Sequence, residues 1–595
     1  MGVFFDIYHH GKRIPDVVAC KECKKVYTFK VADGVHSLIR HKCFAKAREG
    51  TSNIVDAIRK SNDKVKPRIT EEDKKKLNVE IVQMSAIDLR PLSFATGEGF
   101  KKVANTLIEL GSKYGKGLTV DDILLDPTRY SRKILPDLYD EVISKLKKSL
   151  LRQFDTTPTH LPAVTFTGDH WTSKHTSEEY TSISASWLDE DFSMHNNTLC
   201  VDKYTQDTKH SASILLDIEE KLRKIVPAEV INGRESLCTF VSDSDSKLVA
   251  AIRPVFTRVS CSAHDLSLCV KTALKRQSSI SDLIEGAKTI VQHFKRVKYD
   301  ESMIKTKLVQ SVETRFNSTY HMLESIIKNW DGIVSILCER NELPYLSAIS
   351  KINVELLCKI LSPFDQATLM LAKSNTPTLH LVLPIYKSLL EKLYKYKCRE
   401  SMPEIMRDLC SSLMEELEKK CLSKLTHYHF LATFLHPGEQ FRTFSIMKEF
   451  EKHNTLARCK DLIKKCCSSA ELHSPGLDRP KKKQKLLNSD SDEEDLKGRP
   501  VEISISKKCE VALYNKVNLE NDEDSDDLCK VWIKLKSQFP KMYVIARCVL
   551  GIPATQNKSE RDFSSAGLTI TDNRANLNPQ HVNELLVIRD ALKKA

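Results

Sequence analysis

The sequence has 595 residues, of which 41% are hydrophobic and 29% are charged, and Lys and Arg exceed Asp and Glu by 92 to 79. A chain of this length needs several hydrophobic cores, so we expect a globular protein of several domains rather than one. The net charge of +13 favours a polyanionic partner such as nucleic acid. No secretory segment and no apolar stretch of membrane-spanning length is present, so we expect reduced thiols and no membrane partner.

The first feature along the chain is a cluster of Cys and His residues near the N-terminus. Cys20 and Cys23 are separated by two residues, and His41 and Cys43 follow at a distance that a loop can span. Thiolates and imidazoles are the usual ligands of tetrahedral zinc. We therefore predict a structural Zn²⁺ held by these four residues, with His36 as a competing ligand. Unliganded thiols, or a zinc module that binds protein rather than DNA, are the alternatives.

A polar, Lys-rich run follows this cluster and predicts a linker. Beyond it, GFKKVANTLIELGSKYG and LPDLYDEVISKLKKSLLRQF carry apolar residues three and four positions apart, which is typical of amphipathic helices. The period then changes to that of strands. In YTSISASWL, apolar residues alternate with serines, which predicts a half-buried strand. The predicted order of three strands, helix, strand, helix, strand suits the beginning of a ribonuclease H-like α/β domain.

Two aspartates lie where predicted strands end. AVTFTGD ends at Asp169 and SLCTFVSD ends at Asp243. Adjacent strands of one sheet would bring both carboxylates to the same edge, where they could hold divalent cations for phosphodiester chemistry. In a chain with 79 acidic residues, two such positions also arise by chance, and Asp245 is a close competitor for Asp243.

Amphipathic helical periodicity dominates the next part of the chain, up to about residue 473. The basic and acidic runs that follow predict disorder, and RPKKKQK at 479–485 indicates a nuclear import signal, with a solvated linker as the simpler interpretation. The last 60 or so residues are helical and apolar again. Asn578 and Pro579 predict the start of a final helix, whose apolar stripe can dock within the chain or on a second subunit.

Five motifs stand out along the chain, and they are TGDHWTS, FVSDSDSKLVAAI, CSAHDLSL, TRFNSTYHMLES and IPATQNKSERDFSSAG. In their order and spacing they resemble the motifs of the hAT superfamily of cut-and-paste DNA transposases. The Cys/His cluster, which ends in RHKC, resembles a BED finger of the Hobo and Hermes branch, and IDLRPLSFATGEGFKKV resembles the helical segment that follows it. The resemblance covers nearly the whole chain.

This resemblance implies a catalytic triad of acids, Asp169, Asp243 and Glu560, that holds two Mg²⁺ or Mn²⁺ ions. Glu560 lies far downstream because a helical insertion interrupts the catalytic domain in this family. Cys261 and His264 match a motif beside the active site, where the family's pattern lets the histidine position the scissile phosphate. From the residues alone, this pair is a buried thiol and a core histidine, or a pair of zinc ligands.

Aromatic residues near these motifs acquire roles from the same resemblance. Trp171 follows Asp169 by two residues and becomes a wall of the active site, although a tryptophan is a core residue by default. Phe316 stands where many members carry the Trp that stacks on a flipped base, and simple packing is its alternative role. Arg315 beside it is placed to meet a phosphate.

The C-terminal segment resembles the dimerisation region of the family. Here Gln556, Asn557 and Lys558 replace a run of small residues just before Glu560, which could alter the setting of that acid. We therefore keep two functions open. One is a metal-dependent transposase, and the other is a catalytically inactive, domesticated descendant that serves as a dimeric DNA-binding transcription regulator.

Taken together, the patterns and the resemblance predict a multidomain α/β plus α protein with a ribonuclease H-like catalytic domain, interrupted by a large helical insertion, and a small N-terminal zinc module. A transposase of this type nicks one strand at each transposon end, forms a hairpin on the flanking DNA and transfers the excised ends into target DNA. Its partners are double-stranded DNA and at least one further copy of the chain, and its location is the nucleus. The expected segments are a BED-type finger at 1–50, a basic linker at 51–78, a helical DNA-binding domain at 79–155, the catalytic domain at 156–280, the insertion at 281–473, a disordered charged segment at 474–528, and the dimerisation region at 529–595.

Overall fold

The computed structural model describes most of the chain. The described residues are 4–10, 12–28, 38, 41, 43, 69–88, 90–226, 238–299, 303–312, 316–438, 447–470, 510–514, 517, 527–570 and 577–593. They divide into two compact units, Met1–Leu124 and Leu125–Ala595. Our predictions for His36, Arg315 and the import signal at 479–485 fall outside the described residues.

The described part of the first unit contains a small antiparallel sheet and two α-helices. Strands β1 (Phe4–His9), β2 (Lys12–Cys20) and β3 (Val26–Thr28) pair in that order. Helix α1 (Glu71–Ile87) begins where the Thr70 side chain accepts a hydrogen bond from the Asp73 amide, as an N-cap should. Helix α2 (Glu98–Tyr114) ends at Gly115, whose φ of 76° suits a residue without a Cβ.

The second unit is built on a mixed five-stranded sheet. Its strands are β4 (Val164–Thr172), β5 (Glu179–Leu188), β6 (Met194–Lys203), β7 (Cys238–Ser242) and β8 (Thr257–Ser260). They lie in the order β6-β5-β4-β7-β8, with β4, β5 and β6 antiparallel and with β7 and β8 parallel to β4. The predicted succession of strands and helices over this part of the chain is therefore confirmed.

Helices surround this sheet. Those before, between and directly after the strands are α3 (Pro127–Arg129), α4 (Leu135–Asp155), α5 (Ser211–Arg223), α6 (Ser246–Ile252) and α7 (Ser262–Lys275). A helical block follows, made of α8 (Ser278–Arg296), α9 (Phe316–Lys328), α10 (Trp330–Glu339), α11 (Lys351–Leu371), α12 (Val382–Lys397), α13 (Glu404–Lys420), α14 (His427–Phe434) and α15 (Glu449–Ala470). The last helices are α16 (Glu510–Tyr514), α17 (Leu528–Leu535), α18 (Pro540–Leu550), α19 (Asn557–Thr569) and α20 (Pro579–Leu592).

The structure corrects two sequence predictions. Residues 510–514 form a helix whose Val511 and Tyr514 are buried, although we predicted disorder throughout 474–528. Strand β5 is buried on both faces rather than one, because Ser182 and Ser184, which we expected to face solvent, are covered by α19. Alternation of polar and apolar residues marks a strand but does not show what covers its polar face.

Different helices cover the two faces of the sheet. Phe166, Ile183 and Phe240 belong to a core that α4, α5 and α6 complete, whereas Val241 and Val259 join the larger core of the helical block. A third, smaller core joins β5 and β6 to α19 and α20. Among the described helices, none is long and apolar enough to cross a membrane.

Candidate active site

Asp169 and Asp243 lie at equivalent positions on neighbouring parallel strands. The register of β4 and β7 pairs Thr167 with Val241, and each aspartate comes two residues later. Because side chains alternate along a strand, residues two positions beyond a registered pair keep the same face and the same edge. The sheet therefore brings the two predicted carboxylates to one edge.

Asp245 has a different role from Asp243. Its carboxylate accepts hydrogen bonds from the amides of Lys247 (3.0 Å) and Leu248 (2.9 Å), so it is the N-cap of α6. The Asp243 carboxylate caps no helix, and it accepts a hydrogen bond from the Asp245 amide at 3.0 Å. The geometry thus separates a structural aspartate from the strand-end aspartate that the sequence singled out.

Glu560 reaches this edge from the far end of the chain. It lies in the first turn of α19, and this helix packs across β4, β5 and β6. Phe563, one turn further along, stacks on Trp171 with ring centroids 5.8 Å apart and planes 21° apart. Trp171 is thus a partly buried residue that anchors α19 to the strand of Asp169.

A second anchor of α19 is the buried carboxylate of Asp562. It accepts hydrogen bonds from the hydroxyls of Ser182 (3.3 Å), Ser184 (3.2 Å) and Thr198 (3.0 Å), and Lys558 lies 3.2 Å away. Burial raises the pKa of Asp562, and the charge of Lys558 opposes this rise. These bonds explain why the serine face of β5 is buried without being apolar.

The three acids form a cluster of like charges. Burial, together with the charges of Asp243, Glu560 and Asp245, raises the pKa of Asp169 to about 7. Asp169, Asp243 and Asp245 also line a cleft of about 340 Å³, whose wall includes Lys209 and Lys247. A divalent cation bound here would offset the repulsion between these carboxylates. Carboxylate oxygens are also ligands that such ions prefer, so the donor set fits a divalent metal ion.

The ligand atoms of the three acids are nevertheless spread out. Over the part of the chain that the structure describes, the Cys/His cluster of the first unit alone brings three or more ligand atoms within 4.8 Å of one another. The acids thus do not form one compact cage in this conformation. Their arrangement is that of separate carboxylates along a sheet edge.

The residues preceding Glu560 are tied to the edge of the sheet. The Gln556 amide nitrogen donates to the Sγ atom of Cys261 at 3.4 Å, and its side-chain Nε2 atom lies 3.4 Å from an Asp169 oxygen. Ser262 donates its backbone N–H to the Ala554 carbonyl at 2.9 Å. This link could not be foreseen from the sequence, where Gln556 counted only as a departure from the family pattern.

Cys261 is a buried thiol, as the residues alone indicated. Burial raises the pKa of Cys261 to about 12, so it is a neutral sulfur that accepts a hydrogen bond. His264 lies partly exposed in the first turn of α7, close in sequence to this contact. The structure places both residues beside the sheet edge that carries Asp243, because the Cys261 amide donates to the Ser242 carbonyl at 2.8 Å.

Sequence reasoning missed a polar network behind Asp243. Asp265 is only 2% exposed, and its carboxylate accepts bonds from Lys424 (2.5 Å) and Ser244 (3.2 Å). Lys424 comes from the helical block, and no local pattern marks it. Arg258 donates to the Ser242 hydroxyl at 2.9 Å. These contacts fix the backbone around Asp243 from two sides.

Phe316 is placed as a core residue. It is the first residue of α9, and it is 2% exposed within the larger core. Its ring therefore presents no free face for base stacking in this conformation, and the role implied by the resemblance stays a prediction. Arg315 lies outside the described residues.

The predicted zinc ligands of the first unit do come together. Cys20 ends β2, Cys23 lies in the following turn, and the ligand atoms of these residues, His41 and Cys43 all lie within 4.8 Å of one another. Ligands of a tetrahedral zinc ion are about 3.3 to 3.8 Å apart, so the set fits zinc with a small contraction. Such a cluster fits the predicted zinc module.

Electrostatics and hydrogen bonding support this donor set. Burial works against ionisation of Cys20, but backbone hydrogen bonds at Cys23 and Glu22 lower the pKa of its thiol to about 7. The Tyr27 hydroxyl lies 2.8 Å from His41 Nδ1, while His41 Nε2 lies 3.3 Å from the Cys23 sulfur. A partner on Nδ1 leaves Nε2 for the metal, as is usual for zinc-binding histidines.

The two units define a mixed α/β protein, mostly helical, with an acidic sheet edge and a Cys/His cluster. Comparison with known protein families adds an independent finding. Residues 66–129 match the Hermes transposase DNA-binding domain, and residues 510–592 match the hAT family C-terminal dimerisation region. The second match includes α19 and therefore Glu560.

Individual relatives agree with these matches. The transposable element Hobo transposase of Drosophila melanogaster is 25% identical over 418 residues, which are 70% of this chain and 60% of that protein. The zinc finger BED domain-containing protein 4 of Homo sapiens is 23% identical, over 87% of this chain and 43% of its own length. The putative AC transposase of Zea mays is 22% identical, over 77% and 60%.

The chain thus spans about half of the length of these relatives. The resemblance to the hAT transposases is confirmed: the chain carries their C-terminal dimerisation region and a Hermes-type DNA-binding domain, and it is related to the Hobo transposase.

Proposed function

We propose that the chain is a DNA transposase of the hAT type. In this proposal it binds transposon ends, cleaves DNA in a metal-dependent reaction that leaves a hairpin on the flanking DNA, and transfers the excised ends to a target. The observation that carries the proposal is the juxtaposition of Asp169, Asp243 and Glu560. Burial, together with the charges of Asp243 and Glu560, raises the pKa of Asp169 to about 7 in a chain whose relatives include transposases.

The proposed catalytic domain is ribonuclease H-like, interrupted by the helical block. The support is the sheet itself, with three antiparallel strands followed by two parallel ones at the β4 side. A second support is the return of α19 to that sheet after the interruption, held by the Trp171–Phe563 stack and by Asp562. The proposed domain boundaries are those predicted from the sequence, with one exception. Gln153 on α4 donates to the carbonyls of Ala163 and Leu188, so α4 joins the catalytic unit.

In this mechanism Asp169, Asp243 and Glu560 hold two Mg²⁺ or Mn²⁺ ions. Bound ions would supply an activated oxygen nucleophile and would stabilise the oxygen that leaves. The chain's own residues hold the segments that carry the acids. Gln556 and Cys261 orient the segment before Glu560, and the Asp245 amide fixes the backbone beside Asp243. His264, at the start of α7, is proposed to position the scissile phosphate.

The first unit is proposed to deliver the catalytic unit to DNA. The support is the Hermes-type match at residues 66–129 and the zinc-compatible cluster, in which Lys21, Lys24 and Lys25 lie next to the ligands. Phosphate contacts by such lysines give affinity without sequence readout. A second copy of the chain is the proposed protein partner, and the nucleus, suggested by the basic run at 479–485, is the proposed location.

The decisive experiment is a nicking assay on duplexes made from the DNA that flanks the coding sequence on each side. We expect Asp243→Asn to lower the Mg²⁺-dependent nicking rate by roughly a hundredfold or more, because a metal ligand is lost, while DNA binding stays intact. The matched control is Asp245→Asn, which preserves the helix cap and should keep most activity. An Asp243→Asn variant that cuts as well as wild type would overturn the site assignment.

A second function is favoured by one observation. The zinc finger BED domain-containing protein 4 aligns over more of this chain than the Hobo transposase does, and its name describes no transposase. A domesticated DNA-binding regulator would bind the same duplex tightly and would not nick it with either metal. The same assay, run on the wild-type chain with Mg²⁺ and with Mn²⁺, distinguishes the two functions.

A further inference from the structure

A basic groove lies beside α19, the helix that carries Glu560. It has a volume of about 380 Å³ and is formed by α19, α20 and the loop at 374–375. We call it the C-terminal groove. Its charged lining residues are Lys558, Arg561, Asp562, Arg589, Asp590 and Lys593.

The two acids of the groove are already neutralised. Asp562 is 7% exposed and is bonded to three hydroxyls, and Lys558 contacts both Asp562 and Asp590. Asp590 also accepts a hydrogen bond from the Thr198 amide at 2.9 Å. Lys558 is therefore engaged inside the protein, and it offers little charge to a ligand.

The other three cations remain available to a ligand. Arg561, Arg589 and Lys593 are exposed. Arg561 donates to the Ser374 hydroxyl at 3.2 Å, and Arg589 donates to the Ser565 hydroxyl. Within the described ranges, no carboxylate forms an ion pair with any of the three cations. Two exposed guanidinium groups bonded to neutral hydroxyls, together with an exposed lysine, give the site a net positive charge. Such a site binds phosphate better than an apolar ligand.

The groove is also long enough for a polymer. The α19 residues that line it run from Lys558 to Leu568, which at 1.5 Å per residue is about 15 Å along the helix. One strand of DNA advances about 3.4 Å per nucleotide, so this length corresponds to about four nucleotides. Arg561 directly follows Glu560, so the groove passes beside the candidate acid site.

We propose that the C-terminal groove binds the phosphate backbone of DNA, a few nucleotides away from the phosphate that is cleaved. This inference rests on the proposed function, because it takes the acid site as the place of the scissile phosphate. It assigns a DNA contact to a region whose family description is dimerisation. Arg561, Arg589 and Lys593 make the phosphate contacts, and Ser374 and Ser565 hold the two guanidinium groups in place.

The test measures DNA affinity without any cleavage. The full chain is titrated against a labelled duplex of random sequence, in buffer without Mg²⁺ or Mn²⁺, at several salt concentrations, with fluorescence anisotropy as the readout. Each lost phosphate contact lowers the slope of log affinity against log salt by about 0.9. We expect the triple variant Arg561→Gln, Arg589→Gln, Lys593→Gln to lose about two to three units of slope. The charge-preserving double variant Arg561→Lys, Arg589→Lys should keep most of the wild-type slope.

A matched control removes the same charge elsewhere on the same unit. Lys392, Lys395 and Lys397 are exposed on α12, and their triple Gln variant should keep the wild-type slope. If the groove variant and the α12 variant give the same slope, the proposal is wrong. If the groove variant changes the oligomer mass measured by light scattering and leaves the slope unchanged, the groove is a protein interface, and the proposal is again wrong.

This test can fail independently of the proposed function. A chain that never nicks DNA can still lose salt dependence when the groove is altered, which supports the groove and counts against the enzyme. A chain that nicks normally in the triple variant, with an unchanged slope, supports the enzyme and overturns the groove. The single variant Lys593→Gln changes an exposed side chain at the end of α20 and so leaves the helix packing unaltered. It should lose about 0.9 units of slope.

Discussion

Replacement of Gly168, the residue before Asp169, is expected to destabilise the protein even when the new residue is alanine. A Cβ atom on Gly168 would lie 2.7 Å from the Cζ atom of Phe240 and 3.3 Å from its Cε1 atom. Carbon atoms normally approach to about 3.5 to 4.0 Å, so the ring must move by roughly 1 Å. Phe240 is fully buried and contacts Phe256, with ring centroids 5.4 Å apart, so such a movement disturbs the core.

The size of the effect follows from two opposing contributions. Overpacking a core costs about 1 to 3 kcal/mol, and replacing glycine within a strand returns about 0.5 to 1 kcal/mol. We therefore expect Gly168→Ala to lower the free energy of unfolding by about 1 kcal/mol, and by no more than about 2.5 kcal/mol. If the clash with Phe240 is the cause, then Phe240→Leu, which removes the Cζ atom, should lose less stability in the Gly168→Ala background than in the wild type.

The assay is urea unfolding of the full chain, followed by tryptophan fluorescence. All four tryptophans lie in the second unit, so the signal reports the unit that contains Gly168. The matched control is Gly567→Ala on α19, where the added Cβ meets only Trp171 at 3.9 Å and should stabilise by about 0.5 to 1 kcal/mol. Strictly additive effects of Gly168→Ala and Phe240→Leu would refute the reasoning, because residues in contact should show a coupling energy.

Two further predictions concern metal ions. Because burial and neighbouring acids raise the pKa of Asp169 to about 7, its proton must leave before Mn²⁺ binds. Mn²⁺ affinity should rise about tenfold per pH unit up to about pH 7 and level off above it. In the metal-free protein, the contribution of Asp169 to stability should fall as the pH rises from the pKa of this carboxyl group in the unfolded chain to about 7. Calorimetric titrations that show equal Mn²⁺ affinity at about pH 6 and about pH 8 would contradict this. In the first unit, Cys43→Ser should lower zinc affinity at least about tenfold in a chelator competition, whereas Cys338→Ser, an exposed cysteine far from the cluster in sequence, should leave it unchanged. Equal zinc retention by both variants would remove Cys43 from the ligand set.

Much of this protein was predictable from local patterns. The succession of strands and helices around β4–β8 follows from periodicity, because alternation and helical spacing are local properties. The placement of Asp169 and Asp243 at strand ends follows in the same way. The grouping of Cys20, Cys23, His41 and Cys43 was predicted from their spacing and from the ligand types that zinc prefers.

Other features depended on contacts between residues that are far apart in sequence. Periodicity could not join Glu560 to a sheet that is hundreds of residues away, and only the motif resemblance predicted the link. Nor could it show that the serines of β5 are buried, because their acceptor, Asp562, lies 380 residues further along the chain from Ser182.

Tertiary structure also decided between alternatives that the sequence left open. Asp245 and Asp243 are both aspartates after a strand, and only the hydrogen bonds to the α6 amides identify Asp245 as the cap. Gln556 departs from the family pattern, yet it bonds to Asp169 and to Cys261. The sequence determined which residue types lie at the ends of strands and in the zinc cluster. Long-range packing decided which of them meet, because the energy of a buried polar contact depends on the partner and not on the neighbours along the chain.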